Sequence, residues 1–132
     1  MRILCGVVVA CVALLAGCAA ILPAQPAPTW EGQAAGSDAN RGRSLIRAYG
    51  CHTCHTVPGV VGADAVVGPP LNNWASRSYI VGRMENRSEN MILWLMNPQA
   101  VVPGTAMPNL NVSEADARDM SAYLYTLGGS GE

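Results

Sequence analysis

Apolar and charged positions divide this chain into unlike stretches. Residues 3–22 contain no charged side chain, and 14 of the first 17 residues are apolar. Residues 19–36, AAILPAQPAPTWEGQAAG, are mostly Ala, Pro, Gln and Gly with little to bury, which predicts a partly extended tether. Helical spacing begins after it. Gly42, Leu45, Ile46 and Tyr49 share one face of a helix predicted from about Ala39 to Tyr49, with Ser37 or Asp38 as N-cap and Gly50 as terminator. Glycine weakens a helix interior, so Gly42 predicts the close approach of another helix.

A second short helix is predicted over Glu89–Asn97, capped by Ser88 and stopped by Pro98. Its run Met91-Ile92-Leu93-Trp94-Leu95-Met96 is apolar nearly all round, so it should be buried, with Met91 and Met96 as packing. The clearest helix is the last. Ser113 and Asp116 resemble a capping box, Ala117, Met120, Leu124 and Leu127 form a 3.6-period stripe flanked by Tyr123, and Gly128-Gly129 closes it. That stripe should pack across the first helix near Gly42. The chain thus divides into a leader over 1–17 ending at Cys18, a tether over 18–36, one domain over 37–128 and a disordered tail over 129–132.

Charge narrows the partners. The formal net charge of the 132 residues is −1, which argues against nucleic acid. All eight basic residues are Arg; after the leader seven Arg stand against nine Asp and Glu, leaving −2. The leader is a minimal positive start, Met1-Arg2, then an apolar segment closing on Leu15-Ala16-Gly17-Cys18. This closure resembles the lipobox of bacterial lipoproteins, which implies a lipid on Cys18. Two alternatives stand beside it: the 20 uncharged residues are enough to span a hydrocarbon layer of ~30 Å as an uncleaved helix, and ordinary cleavage would release the chain. All three carry the domain to the periplasmic side of a bacterial membrane, with Arg2 left in the cytoplasm.

The five cysteines sort without remainder: Cys5, Cys11 and Cys18 in the leader, Cys51 and Cys54 in the domain. Cys51-His52-Thr53-Cys54-His55 has the spacing of a c-type haem attachment site. Two thiols three residues apart can form thioethers with the vinyl groups along one porphyrin edge, and His55 then offers the proximal imidazole. A zinc site would need a second ligand pair, and no cysteine follows Cys54. A redox dithiol would need a preceding strand in a βαβ unit, which the pattern lacks. His52, inside the motif, is expected at the surface.

Other residues gain meaning from this motif. A haem-ligating His needs an acceptor for its second ring nitrogen, and Gly68-Pro69-Pro70-Leu71, rigid and poor in N–H donors, offers the carbonyl of Pro69. Haem propionates need shielded cationic partners, for which Arg77 is the candidate, with Trp74 and Tyr79 as neighbours; Arg83 and Arg87 read as solvated surface charges. Pro103-Gly104-Thr105-Ala106-Met107-Pro108 is a punctuated loop presenting one thioether. Opposite His55, such a sulfur would favour ferrous iron and raise the potential. A surface-packed Met107, or Met84 in its place, is the alternative.

From about Asn40 to Leu127 these residues resemble a class I cytochrome c: Gly42, the haem motif, Gly68-Pro69-Pro70-Leu71, Arg77 eight residues after Pro69, Asn97-Pro98, and PGTAM ending on Met107. Within that family, residues 88–127 look most like the cytochrome c domain fused to subunit II of haem–copper oxidases. The resemblance implies an all-α fold of three to five helices around one covalently attached haem c, with terminal helices crossing through Gly42 and Tyr123. His55 and Met107 would be the axial iron ligands, Pro69 would orient His55, Arg77 would meet a propionate and Trp94 would pack beside the haem near Met107. The chain departs from many soluble members in having no Lys with which to build a docking ring, which leaves apolar or tether-assisted docking. The expected function is one-electron transfer to or from redox partner proteins, a membrane oxidase or dehydrogenase, with no small-molecule substrate and no catalysis. A haem enzyme or gas sensor with a labile sixth ligand, or a cytochrome subunit of a larger membrane oxidoreductase, is the alternative; the absence of a distal His opposes the enzyme and sensor.

Overall fold

The computed structural model describes residues 36–128, so the leader, Cys18, all but the last residue of the tether and the tail lie outside the described residues. Four α-helices carry the domain: α1 (Ala39–Ala48), α2 (Ser88–Met96), α3 (Pro98–Val101) and α4 (Glu114–Thr126). Between α1 and α2 run two 3-10 turns, Cys51–Thr53 and Trp74–Ser76, and a two-stranded antiparallel hairpin, β1 (Tyr79–Ile80) and β2 (Met84–Glu85). The arrangement is the predicted helical one.

The Asp38 side chain caps α1 by accepting from the backbone of Asn40 and Arg41. Gly50, at φ 77°, turns the chain out of it. α1 crosses α4 at Gly42, and a Cβ there would stand 1.9 Å from the carbonyl oxygen of Asp119. Only glycine permits that approach. Tyr123 lies one turn further along α4 than the crossing and reaches past it, its hydroxyl donating to the carbonyl of Pro58. A polar clasp beside the crossing joins the helices. Arg41 pairs with both Asp116 and Asp119, and the Tyr49 hydroxyl donates to Asp116 at 2.7 Å. The capping box is therefore half formed: Ser113 accepts from the N–H of Asp116 at 3.2 Å, but the Asp116 carboxylate is turned toward α1.

The core gathers Ile46 of α1, Met91, Trp94 and Leu95 of α2, and Met120 and Leu124 of α4. Burying side chains of this size contributes about 1.5–3 kcal/mol each. Two expectations for α2 need correction. It begins at Ser88, with Arg87 at the cap position and no capping side chain; the Ser88 hydroxyl sits 3.2 Å from that of Ser121 on α4 instead. Leu93, in a run expected to be buried throughout, is 56 % exposed, because α2 packs on α4 by one side only. Pro98 ends α2 and opens α3, where a missing N–H costs nothing and the Asn97 side chain accepts from Ala100.

Candidate functional site

The end of α1 delivers the chemistry. Gly50 directs the Cys51–Thr53 turn across the bottom of the core, with Thr53 Oγ1 donating back to the Gly50 carbonyl at 2.8 Å. His55 follows, and the loop after it folds back on itself: Thr56 Oγ1 donates to Ala65, Leu71 N–H to Thr56 at 2.8 Å and Gly68 N–H to Cys54 at 2.7 Å. These bonds return Gly68-Pro69 to the imidazole of His55. The His55 Nδ1 lies 2.7 Å from the carbonyl oxygen of Pro69. A carbonyl can only accept, so Nδ1 carries the proton and Nε2 keeps a free lone pair. Gly68 allows the contact, since a Cβ there would stand 2.3 Å from Cε1 of the ring.

A cavity of about 560 Å³ opens at this point. Cys51, Cys54, His55, Pro69, Arg77, Trp94 and Met107 all line it, so the structure brings every candidate site residue of the domain to one space. Its remaining wall is largely the apolar core, including Ile46, Leu71, Leu95, Leu110 and Leu124. Met91 and Met120 also reach it, each buried in its helix, whereas Met84 does not.

Met107 is held by a residue that no motif marked. The Gln99 carboxamide, carried in on α3, donates to the carbonyls of Thr105 at 2.8 Å and Met107 at 3.0 Å, and accepts from Gly104 N–H at 3.2 Å. One side chain thus spans the whole Gly104–Met107 loop. The only available signal was its place behind Asn97-Pro98.

Arg77 donates to the carbonyls of Pro70 and Asn72, and its guanidinium lies 4.9 Å from the centre of the Trp74 ring. Trp74 is buried, lines the cavity, and its Nε1 has no hydrogen-bond partner. An orphan N–H beside a cation is what a cofactor carboxylate would satisfy. A largely apolar cavity lined by two thiols, an imidazole, a guanidinium and a tryptophan whose indole N–H lacks a partner fits haem c. His52 differs from expectation: it is half-buried and its Nδ1 is buried without a partner.

The Cys51 thiol does not suit redox exchange. Burial, with Cys54 adding to it, pushes the Cys51 thiol up to about 11, so it stays protonated at neutral pH, the reverse of a reactive dithiol. Among the described residues no group of three His, Cys, Asp or Glu could hold a metal by itself.

Two cysteines three residues apart, an oriented histidine and a methionine loop around one cavity on a four-helix frame are the features of a c-type haem domain. Residues 39–128 match the family described as Cytochrome c. This chain belongs to the cytochrome c family, whose members bind haem c covalently. It is 37 % identical over 90 residues to the cytochrome c oxidase subunit 2 of Alkalihalophilus pseudofirmus, covering 67 % of this chain and 25 % of that protein. With the subunit 2 of Bacillus subtilis it shares 29 % over 92 residues, 68 % of this chain and 26 % of that protein. The chain spans about a quarter of the length of these curated relatives.

Proposed function

We propose that this chain is a membrane-tethered, periplasmic monohaem cytochrome c that carries single electrons in a respiratory chain, exchanging them with a haem–copper terminal oxidase. Bound haem iron supplies a one-electron ferrous/ferric couple. The chain's own residues do the rest. Cys51 and Cys54 would fix the group, His55 and Met107 would hold the iron, and Trp94 with the core would keep water from it. The observation that carries the reading is the pair of braced ligands. Pro69 fixes the tautomer of His55 and Gln99 fixes the backbone of Met107, so both side chains would be held ready to bind the iron of a haem.

An oxidase partner is supported by the two relatives, both oxidase subunits. The surface supports a docking mode. Thr53, Val67, Tyr79, Val81, Ala106 and Pro108 line the cavity and are exposed, and none is charged at neutral pH. Val66 and Val67 are 86 % and 81 % exposed. Such a rim favours brief apolar contact over long-range steering, and a tether to the same membrane supplies effective concentration. The anchor rests on the apolar leader and on Cys18; with lipidation at Cys18, a Cys18→Ala chain moves out of the detergent phase or remains as an uncleaved precursor.

The test is an optical redox titration of the haem-loaded protein. A single one-electron wave at positive potential, with the weak far-red band of methionine-ligated ferric haem, supports electron transfer. Absence of that band together with ready carbon monoxide binding by the reduced protein would favour a sensor or enzyme.

A further inference from the structure

Asn86 sits between β2 and α2 and belongs to no motif. Its Nδ2 donates to the carbonyl of Trp74 at 2.8 Å and to that of Arg77 at 3.0 Å, and its Oδ1 accepts from the Tyr125 hydroxyl at 2.8 Å. Its backbone N–H donates to Ser78 at 3.0 Å. The two carbonyls can only accept, which fixes the orientation of the amide and leaves its donors fully used. Trp74 opens the 3-10 turn and Arg77 follows its last residue, so one carboxamide grips both ends of the turn. Both side chains line the cofactor cavity, Trp74 with its buried indole N–H unpartnered and Arg77 with its guanidinium over the indole ring.

Tyr125 supplies the third arm from α4. Burial raises its pKa and the negative charge of Glu89 adds to this, so the hydroxyl stays protonated and can donate to Asn86; the neighbouring Trp74 indole opposes the shift without coming into hydrogen-bond geometry. The charged and titratable groups around the turn are Arg77 on the turn itself, Tyr79 on β1, Tyr125 on α4 and Glu89 on α2. Glu85 and Arg87, which flank Asn86, pair with each other at 2.6 Å on the surface.

We propose that Asn86 is the positioning residue for the carboxylate end of the haem pocket: it holds Trp74 and Arg77 in register so that both donors meet the propionates, and Tyr125 orients its carboxamide. This rests on the haem c reading given above. The side chain itself touches no part of the cofactor; it acts through the turn.

The test uses haem-loaded protein with Asn86→Ala, Tyr125→Phe and, as a control, Ser88→Ala, which loses a hydrogen bond to α4 away from the turn. Two readouts are followed by NMR and voltammetry: solvent exchange of the Trp74 indole N–H, and the pH at which the reduction potential shows its propionate-linked inflection. Asn86→Ala should speed indole exchange at least about tenfold and move the inflection up by about one pH unit, the size expected for one lost charge-assisted contact. Tyr125→Phe should move both in the same direction by less, and Ser88→Ala should move neither. A lower Tm for Asn86→Ala with both readouts unchanged would mean a structural role only and overturn the proposal. If Asn86→Ala does not assemble, Tyr125→Phe decides it: shifted readouts support the role and unchanged readouts sink it. A protein that takes up no haem at all would instead defeat the cofactor reading.

Discussion

The Gln99 Nε2 donates to the carbonyl of Met107 at 3.0 Å and to that of Thr105 at 2.8 Å, so a neutral amide on a four-residue helix sets the height of the methionine loop. Without it the loop would keep only the long, weak bond from Met107 N–H to Thr105 Oγ1 at 3.4 Å and the turn bond from Thr105 N–H to Val102. Gln99→Ala should therefore leave the haem attached but loosen the Met107 loop, and with it the sixth ligand proposed above. The expected outcome is loss of the far-red ferric band at lower pH than in the parent, with slow carbon monoxide binding to the reduced form. A band that titrates at the parent pH would show that the loop is held by packing alone.

Gly42 offers the sharpest stability test. A Cβ 1.9 Å from the Asp119 carbonyl and 2.5 Å from its carbon cannot be absorbed by a side-chain rotation, because both obstacles are backbone. Gly42→Ala should push α1 and α4 apart and cost at least about 2 kcal/mol, although alanine favours helices. Denaturant unfolding of the haem-loaded protein measures it; a neutral or stabilising result would refute the crossing.

The clasp between α1 and α4 predicts stability loss at both ends of the pH scale. The Tyr49 hydroxyl, the Ser113 hydroxyl and Arg41 hold the Asp116 carboxyl below its ordinary value of 3.8. A depressed carboxyl stabilises the fold above the unfolded value, and that contribution is lost as pH falls below about 4 through the folded one. The same carboxylate, with burial assisting, raises the Tyr49 phenol above 10.0. A raised group contributes fully below its unfolded value and loses that contribution as pH rises through the folded value, here above about 10. Asp116→Asn should flatten both limbs of a Tm-versus-pH curve, and a curve of unchanged shape would count against the clasp.

Docking through an uncharged rim predicts weak salt dependence. Between about 0.01 M and 1 M salt the Debye length falls from about 30 Å to about 3 Å, yet the rate of electron exchange with an oxidase-containing membrane should change little. Val66→Asp, at an exposed position beside the rim that does not line the cavity, should slow that exchange while leaving spectrum and potential as they were. A rate that falls steeply with salt in the parent protein would place the contact on a charged face elsewhere.

Much of this protein was legible without coordinates because its chemistry is local. Cys51, Cys54 and His55 lie within five residues, the ends of α1 and α4 announce themselves by cap and glycine, and Met107 stands in a loop whose prolines forbid a helix. The carbonyl next to His55 could be anticipated because proline leaves its acceptors unspent. Contacts set by the meeting of distant segments could not be read in this way. Asn86, Gln99 and the Arg41–Asp116–Tyr49 clasp are polar residues with no periodicity, and each gains its role only when its partner arrives from elsewhere in the fold. The exposure of Leu93 was invisible for the same reason: an all-round apolar helix does not say which side its neighbour will take. Residue type and spacing determined the cofactor and the helices; tertiary structure decided which polar groups hold the ligands, since a hydrogen bond depends on where two groups stand in space and not on how far apart they lie along the chain.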